Sequence, residues 1–207
     1  MLKQVHTAKK AVTDHPIHEL ISQRWSPYGY SNQAVSEVDL RSLFEAARWA
    51  SSSFNEQPWS YIVARRKDAK EFQSMLSCLA EGNQQWAKEV PVLALGVTHL
   101  RFTSNDKPNR HAFHDLGLAS ANLCAEATAR GLAVHQMAGI LPDRAREIFS
   151  IPEDWDVATG IAIGYAIGPD EGITSFAERD SKLRNRKPLR SFVFGGQWDE
   201  PSEIILS

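Results

Sequence analysis

The most constraining feature of the sequence is residues 112–130, a predicted helix with small or apolar side chains on nearly every face. One face carries four apolar residues at helical spacing, namely Leu116, Ala119, Leu123 and Ala127. Few charges interrupt the segment, and these are Asp115, Glu126 and Arg130. A helix that is apolar nearly all round is buried, and its small residues permit close approach of another backbone. We therefore predict a buried helix that ends at Gly131.

Helical and strand patterns are intermixed along the rest of the chain. Ser36 and Asp39 fit a capping box that begins a helix over 37–50. Two more helices are predicted over 68–80 and 142–149, and five strands over 59–64, 91–97, 132–137, 158–168 and, at the terminal edge, 203–206. This order predicts an α/β or α+β fold around one sheet and leaves parallel and antiparallel pairing open.

The last long strand contains Gly160, Gly164 and Gly168 at intervals of four residues. In a membrane helix this spacing would favour a dimer face. The segment is too short and too rich in β-forming residues for that, so we interpret the glycines as small residues in a closely packed strand.

Composition limits the partners that this chain can have. Lys and Arg total 23 against 25 Asp and Glu, a net charge of −2, which argues against nucleic acid as the main partner. The length favours one domain over residues 1–207, with residues 1–15 as a lead-in. Cys78 and Cys124 have neither CxxC nor metal-ligand spacing, so we predict reduced thiols in the cytoplasm. We predict no signal peptide and no membrane span.

Several motifs of common enzymes are absent from the sequence, namely GxGxxG, GxxxxGK[ST], HExxH and GxSxG. A Rossmann nucleotide site and the common zinc hydrolase site are therefore unsupported. His111 and His114 have a spacing that would place them on one helix face, but the sequence supplies no third ligand. We predict no metal site.

The strongest basic cluster lies at residues 178–190, a segment that contains six Lys and Arg residues and two acidic residues. Arg184 and Arg186 alternate, so an extended segment would direct both side chains the same way. Arginine forks suit a phosphate group. A solvated charged surface is the alternative interpretation.

Two further segments are candidates for binding a flat heterocycle. Residues 52–59, which read Ser-Ser-Phe-Asn-Glu-Gln-Pro-Trp, concentrate hydroxyls and amides between a helix and a strand. Such groups match a ring that offers both donors and acceptors. Residues 136–140 end the short predicted strand, and Gly139 there would let backbone N–H groups approach a ligand closely. An ordinary polar turn is the alternative for residues 52–59.

Together with Arg24-Trp25-Ser26 before the capped helix, these segments resemble the FMN-dependent nitroreductase family. The resemblance covers about residues 18–195, and the SSxNxQPW segment is its most specific part. It implies a three-layer α+β fold with a central, mainly antiparallel sheet flanked by helices. It also implies an intertwined homodimer with FMN at the interface, residues 112–130 at the dimer core, and residues 196–207 as a tail that reaches the partner subunit.

The resemblance also implies a set of FMN-binding residues. Arg24 and Ser26 match positions that hold the phosphate, the ribityl chain and the pyrimidine edge, and Arg184 and Arg186 match the phosphate-binding pair. Ser52, Ser53 and Asn55, with Gln57 beside them, match the loop that the partner subunit lays against the flavin. Ala138 and Gly139 match backbone donors near flavin N5. Asn83 aligns loosely with a residue that bonds the pyrimidine ring.

The sequence departs from the family pattern at three positions. Tyr28 stands where members usually have Arg or Lys, Trp25 replaces a common second basic residue but remains in the predicted FMN site, and Ser51 replaces the usual Pro. The lost charge at Tyr28 bears on the stabilisation of reduced flavin and on substrate preference.

The implied function is an FMN-dependent NAD(P)H oxidoreductase that reduces nitroaromatic, quinone or related small organic acceptors in ping-pong order. The reactive centre would be flavin N5, with no side chain acting as acid, base or nucleophile. Three alternatives remain open. They are an enzyme of the same fold that fragments flavin or removes halogen, a flavin-binding protein without catalysis, and a nucleic-acid binder that uses residues 178–190.

Overall fold

The fold is built around one antiparallel sheet. The computed structural model describes residues 9–168 and 174–205. Four strands form the sheet, namely β1 (Trp59–Arg65), β2 (Val92–His99), β3 (Ala133–Met137) and β4 (Trp155–Gly164). Their order is β1-β2-β4-β3, and every neighbouring pair is antiparallel, which decides the pairing that the strand patterns left open.

Helices connect and cover the strands. They are α1 (Glu19–Gln23), α2 (Glu37–Arg48), α3 (Ala69–Ser77), α4 (Glu81–Ala87), α5 (Ala112–Ala129), α6 (Pro142–Phe149) and α7 (Thr174–Ser181). Short 3-10 turns occur at Ser53–Asn55, Leu189–Ser191 and Glu203–Ile205. The α+β class is therefore confirmed.

Two apolar cores, one on each face of the sheet, give the fold its three layers. Val92 and Ala94 of β2 pack in one core with α2 and α5. Leu93 and Leu95 of the same strand point the other way, into a core shared with α3, α4 and α6. Because β2 is covered on both faces, its sequence is a continuous apolar run rather than an alternating one.

The predicted ends of two helices are confirmed by their hydrogen bonds and backbone angles. Ser36 Oγ accepts a hydrogen bond from the backbone N–H of Asp39 over 3.0 Å, which satisfies a free donor at the start of α2. Gly131 follows α5 with a φ of 71°, in the left-handed region that residues with a side chain seldom adopt.

The helix predicted to be buried at 112–130 is buried on one side in a single chain. One side of α5 is buried against the sheet and α2, with Leu116, Ala119, Leu123 and Ala127 at its centre. The opposite side exposes Phe113, Gly117 and Ala121, which form a stripe at intervals of four residues. We call Phe113, Gly117 and Ala121 the open stripe of α5.

Other predicted elements differ from the structure in extent or type. The helix predicted over 68–80 ends at Ser77, and α4, which was not predicted, follows it. The strand predicted over 158–168 begins earlier, at Trp155, and ends at Gly164 because the chain then leaves the ladder to form an isolated bridge from Ala166 to Tyr30. The terminal strand predicted over 203–206 is instead the 3-10 turn Glu203–Ile205.

The interpretation of the β4 glycines is confirmed at two of three positions. A Cβ atom on Gly160 would lie 2.9 Å from Leu79 Cδ2, and one on Gly164 would lie 2.7 Å from Pro91 Cγ. Both distances are shorter than side-chain contacts allow, so the neighbouring residues fill the space that a side chain would need.

Several predictions concern the ends of the chain and its partners. Residues 1–8 of the predicted lead-in and residue 206 of the predicted terminal strand lie outside the described residues. Within residues 9–168 and 174–205, no helix is long and apolar enough to cross a bilayer. The same ranges contain no group of three or more His, Cys, Asp or Glu residues suited to a metal ion. Cys78 and Cys124 are both free and buried.

Candidate functional site

The first part of the candidate site follows α1. This short helix is capped by His18, whose Nδ1 accepts a hydrogen bond from the backbone N–H of Leu20, and it ends at Arg24. Arg24 Nη1 donates to Ser26 Oγ over 3.2 Å, so the two predicted phosphate-binding side chains lie together. Trp25 between them is buried, and Lys9 Nζ lies 5.2 Å from the centre of its ring.

Arg184 reaches the same place from the C-terminal part of the chain. Its Nη1 donates to the carbonyl oxygens of Ser22 over 2.8 Å and of Lys9 over 3.0 Å. Burial lowers the pKa of the Arg184 guanidinium, and the nearby positive charges of Arg24 and Arg186 lower it further. The structure therefore brings all three predicted arginines together.

Arg186 differs from Arg184 in its surroundings. Its side chain is exposed, and its Nη1 donates to the carbonyl oxygen of the adjacent Asn185 over 2.7 Å. The expectation that both arginines point the same way was wrong, because Arg184 turns inward while Arg186 faces solvent. Both nevertheless belong to one cluster with Arg24.

Among the described residues, no carboxylate is paired with this arginine cluster. In the described part of the chain, none of Arg24, Arg184 and Arg186 forms an ion pair. Guanidinium groups that are held together without an anion repel one another, and a phosphate would remove that repulsion through charge-assisted hydrogen bonds. The donor set therefore fits a phosphate group.

The polar loop at residues 52–57 has an unusual backbone. Phe54, Asn55 and Gln57 have φ values of 54°, 57° and 52°, in the left-handed region that residues other than glycine seldom adopt. Ser52 Oγ accepts a hydrogen bond from the Gln57 N–H over 3.0 Å, and the Ser53 N–H donates to Asp115 Oδ2 over 3.0 Å. Such strain persists where the surroundings impose it, and it is concentrated at functional sites.

Three side chains of the loop, those of Phe54, Asn55 and Gln57, are exposed. Phe54 is 92% exposed, and its ring meets Phe102 edge-on at 5.8 Å between centroids. Gln57 Nε2 donates to the carbonyl oxygen of Asn55 over 3.1 Å, which holds the tip of the loop in shape. The backbone of the loop is therefore fixed by hydrogen bonds, and its exposed side chains are accessible to a ligand or a second chain.

Ala138 and Gly139 follow the end of β3, at one edge of the sheet. The carbonyl oxygen of Gly139 accepts hydrogen bonds from the Ala80 N–H and from Asn83 Nδ2, each over 2.9 Å. A Cβ atom at residue 139 would lie 2.6 Å from Asn83 Nδ2, so a side chain there would displace the Asn83 amide. Ala138 is exposed, and its carbonyl oxygen accepts from the Ile140 N–H over 2.9 Å.

The predicted site residues form two groups at different places along α5. Asp115, in the first turn of α5, anchors the polar loop. The charge of Arg24 acts on Cys124, where burial raises the pKa of the thiol and Arg24 partly opposes that rise. Asp115 and Cys124 are nine residues apart, or about 13 Å along a helix axis. In one chain the loop and the arginine cluster therefore lie at different turns of α5.

Sequence reasoning missed three residues that organise the site. They are Asp115 and Asp180, both buried, and the half-buried His135. Asp115 could have been found from its spacing, because it lies four residues before Ala119 on the buried face of α5. No pattern marks Asp180 within the basic cluster, or His135 within β3.

Tyr28 has a packing role that its position in the family pattern did not suggest. Its ring stacks on Phe176 at 5.3 Å and meets the edges of Trp86 and His135 at 5.3 Å and 4.8 Å. Arg179 lies over both Tyr28 and Phe176. The tyrosine therefore attaches α7 to the core instead of offering a positive charge.

One groove lies away from all these groups. It has a volume of about 690 Å³ and runs between α2 and β1, over an apolar floor that includes Leu40, Phe44 and Val63. Its walls carry mixed charges. It contains none of the predicted FMN-binding residues, so it is not the candidate site.

Comparison with known proteins relates this fold and site to one family. The family model described as the nitroreductase family matches residues 21–165. A putative NADH dehydrogenase/NAD(P)H nitroreductase of Streptomyces coelicolor is 25% identical over 169 residues, covering 72% of this chain and 83% of that protein. An uncharacterized 15.4 kDa protein of Mycolicibacterium smegmatis is 34% identical over 97 residues, covering 47% of this chain and 65% of that protein.

Solved structures show the same similarity in three dimensions. An oxidoreductase whose structure is described as containing FMN superposes with a TM-score of 0.85 at 30% identity, covering 94% of this chain and 98% of that one. A nitroreductase family protein of Clostridium difficile superposes with a TM-score of 0.66 at 23% identity, covering 86% and 96% of the two chains. The second likeness concerns the fold alone.

Proposed function

This chain belongs to the nitroreductase family, and on that premise we propose that it is an FMN-dependent oxidoreductase that takes electrons from NADH or NADPH. Its acceptors are small organic molecules, with nitroaromatics and quinones as the first candidates. The FMN-containing oxidoreductase that superposes over 94% of this chain supports the choice of cofactor. The name of the Streptomyces coelicolor relative supports the nicotinamide reductant.

The observation that carries the proposal is the convergence of Arg24, Arg184 and Arg186 without a carboxylate partner in the described chain. A phosphate is the anion that such a set of forked donors suits best. When bound, FMN supplies the chemistry of accepting and donating a hydride. The arginines hold its phosphate, and Ser26 accepts from Arg24 and thereby orients that guanidinium.

The polar loop and the end of β3 supply the surroundings of the ring in this proposal. Ser52, Ser53, Asn55 and Gln57 offer hydroxyl and amide groups from a backbone already fixed in shape. Ala138 and Gly139 offer backbone N–H groups where glycine permits close approach. These donors would also stabilise negative charge on the reduced ring. Trp25 is buried next to Lys9 and contributes to the site by packing behind Arg24 and Ser26, which bind the phosphate in this proposal.

A homodimer is part of the proposal because one chain separates the two halves of the site. The open stripe of α5 consists of one large and two small apolar positions, which permit close helix packing in a second copy. A two-fold axis through α5 would bring the loop of one chain to the arginine cluster of the other. Trp198 and Ile204 in the C-terminal segment 196–207 are exposed in one chain, and a second chain that this segment reaches would cover them. We place the enzyme in the cytoplasm, where its two free cysteines stay reduced.

The test of the function begins with the purified protein and its absorption spectrum. We expect a yellow dimer that loses its flavin absorption on stopped-flow mixing with NADH or NADPH and regains it with a nitroaromatic or a quinone. A flavin that stays oxidised with both nicotinamides would indicate a binding protein without catalysis. Irreversible loss of the flavin absorption when the reduced protein is mixed with oxygen alone would indicate the fragmentation chemistry. Colourless protein that takes up no FMN would end the proposal.

The shared site has a separate test with mixed dimers. Arg186→Ala disables the phosphate half of a site, and Asn55→Asp disables the ring half while keeping a residue that tolerates a positive φ. The two variants are co-expressed with different tags, and dimers carrying both tags are purified. If each site joins two chains, the mixed dimer retains one intact site and about half of the wild-type flavin. If each site lies within one chain, both sites are damaged and no flavin is retained.

A further inference from the structure

Asp180, at the end of α7, holds the turn that follows Arg24. Its Oδ2 accepts hydrogen bonds from the backbone N–H groups of Tyr28 over 2.9 Å and Gly29 over 3.0 Å, and its Oδ1 lies 3.2 Å from the Tyr28 nitrogen. The side chain is only 4% exposed. A buried carboxylate needs such donors, because leaving it unsatisfied away from water is costly.

The same turn is held from two other directions. The carbonyl oxygen of Pro27 accepts a hydrogen bond from His135 Nδ1 over 2.8 Å, which attaches the turn to β3. Arg184 attaches the preceding helix through the carbonyl oxygen of Ser22. Asp180 therefore completes a set of three contacts around residues 22–29, with Arg24 and Ser26 in the middle.

The charges around Asp180 give its carboxylate a second role. Lys9 is buried nearby, and its Nζ donates to the carbonyl oxygens of Arg179 over 3.1 Å and Lys182 over 2.7 Å. Burial lowers the pKa of the Lys9 ammonium, and the charge of Asp180 opposes that effect. Of the acidic residues that the structure describes, only Asp115 and Asp180 are buried, so Asp180 is the buried carboxylate at this group of cations.

The way in which Asp180 is satisfied matters for the arginines. Its hydrogen bonds go to backbone N–H groups, and none goes to Arg24, Arg184 or Arg186 in the described structure. A carboxylate that bridged to these guanidinium groups would occupy the donors that a phosphate needs. Asp180 instead acts through its charge on Lys9 and leaves those donors available.

We propose that Asp180 is a positioning residue for the phosphate of FMN, an inference that rests on the proposed function. It fixes the turn that follows Arg24 and Ser26 through the backbone N–H groups of Tyr28 and Gly29, and it does not compete with the phosphate for the guanidinium donors. The packing of Phe176 on Tyr28 brings α7, and Asp180 with it, against that turn.

The test compares two flavins that differ only in the phosphate. Apoprotein is titrated with FMN and with riboflavin, and binding is followed by quenching of flavin fluorescence. We expect Asp180→Asn to raise the Kd for FMN about tenfold, as loss of one good hydrogen bond to an ion would, and to change the Kd for riboflavin less than about twofold. Asp156→Asn is the matched control. Like Asp180, Asp156 accepts a hydrogen bond from a backbone N–H, but it lies on β4 and also accepts one from Arg146.

Each result decides something different. Equal weakening of both flavins by Asp180→Asn would show a general structural effect and overturn the inference, as would unchanged binding of both. Wild-type protein that binds neither flavin would overturn the proposed function itself. Asp180→Glu gives a second variant in case Asp180→Asn does not fold. It keeps the charge and displaces the oxygens, and a loss of FMN selectivity without loss of riboflavin binding is expected there too.

Discussion

Asp115 Oδ2 accepts a hydrogen bond from the backbone N–H of Ser53 over 3.0 Å, across 62 residues of sequence. Asp180 makes the equivalent contact with Tyr28 and Gly29 at the other half of the site. Each of the two buried carboxylates in the described chain therefore fixes the backbone of one segment proposed to bind flavin. Buried charge is used here to hold loops in shape rather than to form ion pairs with arginine.

Asp115→Asn is expected to weaken the binding of FMN and riboflavin by similar factors, because the loop that it anchors faces the ring in the proposed site. Loss of the charged acceptor should also lower the free energy of unfolding by about 1–2 kcal/mol. Denaturant unfolding and flavin titration measure the two effects. The exposed Asp143→Asn is the control. A loss confined to FMN would contradict the assignment of the loop to the ring.

Arg186→Ala is expected to weaken FMN binding by roughly tenfold to a hundredfold, the size of one charge-assisted hydrogen bond. Its free energy of unfolding should change by less than about 0.5 kcal/mol, because the side chain is exposed and its hydrogen bond goes to the carbonyl oxygen of its neighbour Asn185. Isothermal titration and denaturant unfolding check the two values. Arg110→Ala removes an exposed arginine elsewhere. Equal FMN affinity in both variants would remove the phosphate role of Arg186.

Ala121→Glu tests the open stripe of α5. A carboxylate there is harmless in a separate chain, because Ala121 is exposed, but it would be buried twice at a two-fold interface at a cost of several kcal/mol. We expect light scattering to show a folded monomer that retains no FMN. Ala69→Glu, on an exposed position of α3, should remain dimeric and yellow. A flavin-loaded dimer of Ala121→Glu would place the interface elsewhere.

Gly164→Ala is expected to lower the free energy of unfolding by about 1–3 kcal/mol through overpacking. The new methyl group would lie 2.7 Å from Pro91 Cγ and 2.9 Å from Tyr30 Cδ1. Gly82→Ala is the matched control, since nothing lies within 4 Å of its Cβ position in α4, and it should stabilise the protein by up to about 1 kcal/mol. Similar midpoints of urea unfolding for the two variants would refute the close packing of β4.

The stability of the protein should depend on pH through His135. Burial lowers the pKa of this imidazole, and its hydrogen bond to Pro27 opposes the effect in part. The folded state thus favours the neutral ring, while the unfolded chain takes up a proton near its ordinary pKa of about 6.5. This contribution is complete above that pH and is lost as the pH falls through the lower folded-state pKa.

The measurement is the urea midpoint at pH 7.5 and at pH 5.5. His135→Gln should lose less stability than wild type between the two values, because the residue that titrates is gone. His15→Gln, at an exposed position, should behave as wild type. If wild type and His135→Gln respond equally to acid, the neutral imidazole is not coupled to folding.

Local sequence patterns were sufficient where the decisive contacts are local. The capping box at Ser36 and Asp39, the stop at Gly131 and the apolar run of β2 each depend on neighbours within a few residues. Patterns failed at the predicted terminal strand over 203–206, because a strand needs a partner that the sequence does not name. They also did not indicate that one side of α5 is open in a single chain, because apolar composition does not show which side of a helix the same chain covers.

The sequence by itself determined most of the element types and the candidate groups for a mononucleotide, since hydrophobic periodicity, turn chemistry and residue type are local properties. Periodicity left α/β and α+β open, and the family resemblance favoured α+β. Tertiary structure alone decided which of those groups meet. It brought Arg184 across 162 residues to Ser22, placed Asp180 on the turn at Gly29, and anchored the polar loop on Asp115 of α5. The reason is physical: contacts between distant residues depend on how layers pack around the sheet, and no short stretch of sequence records that geometry.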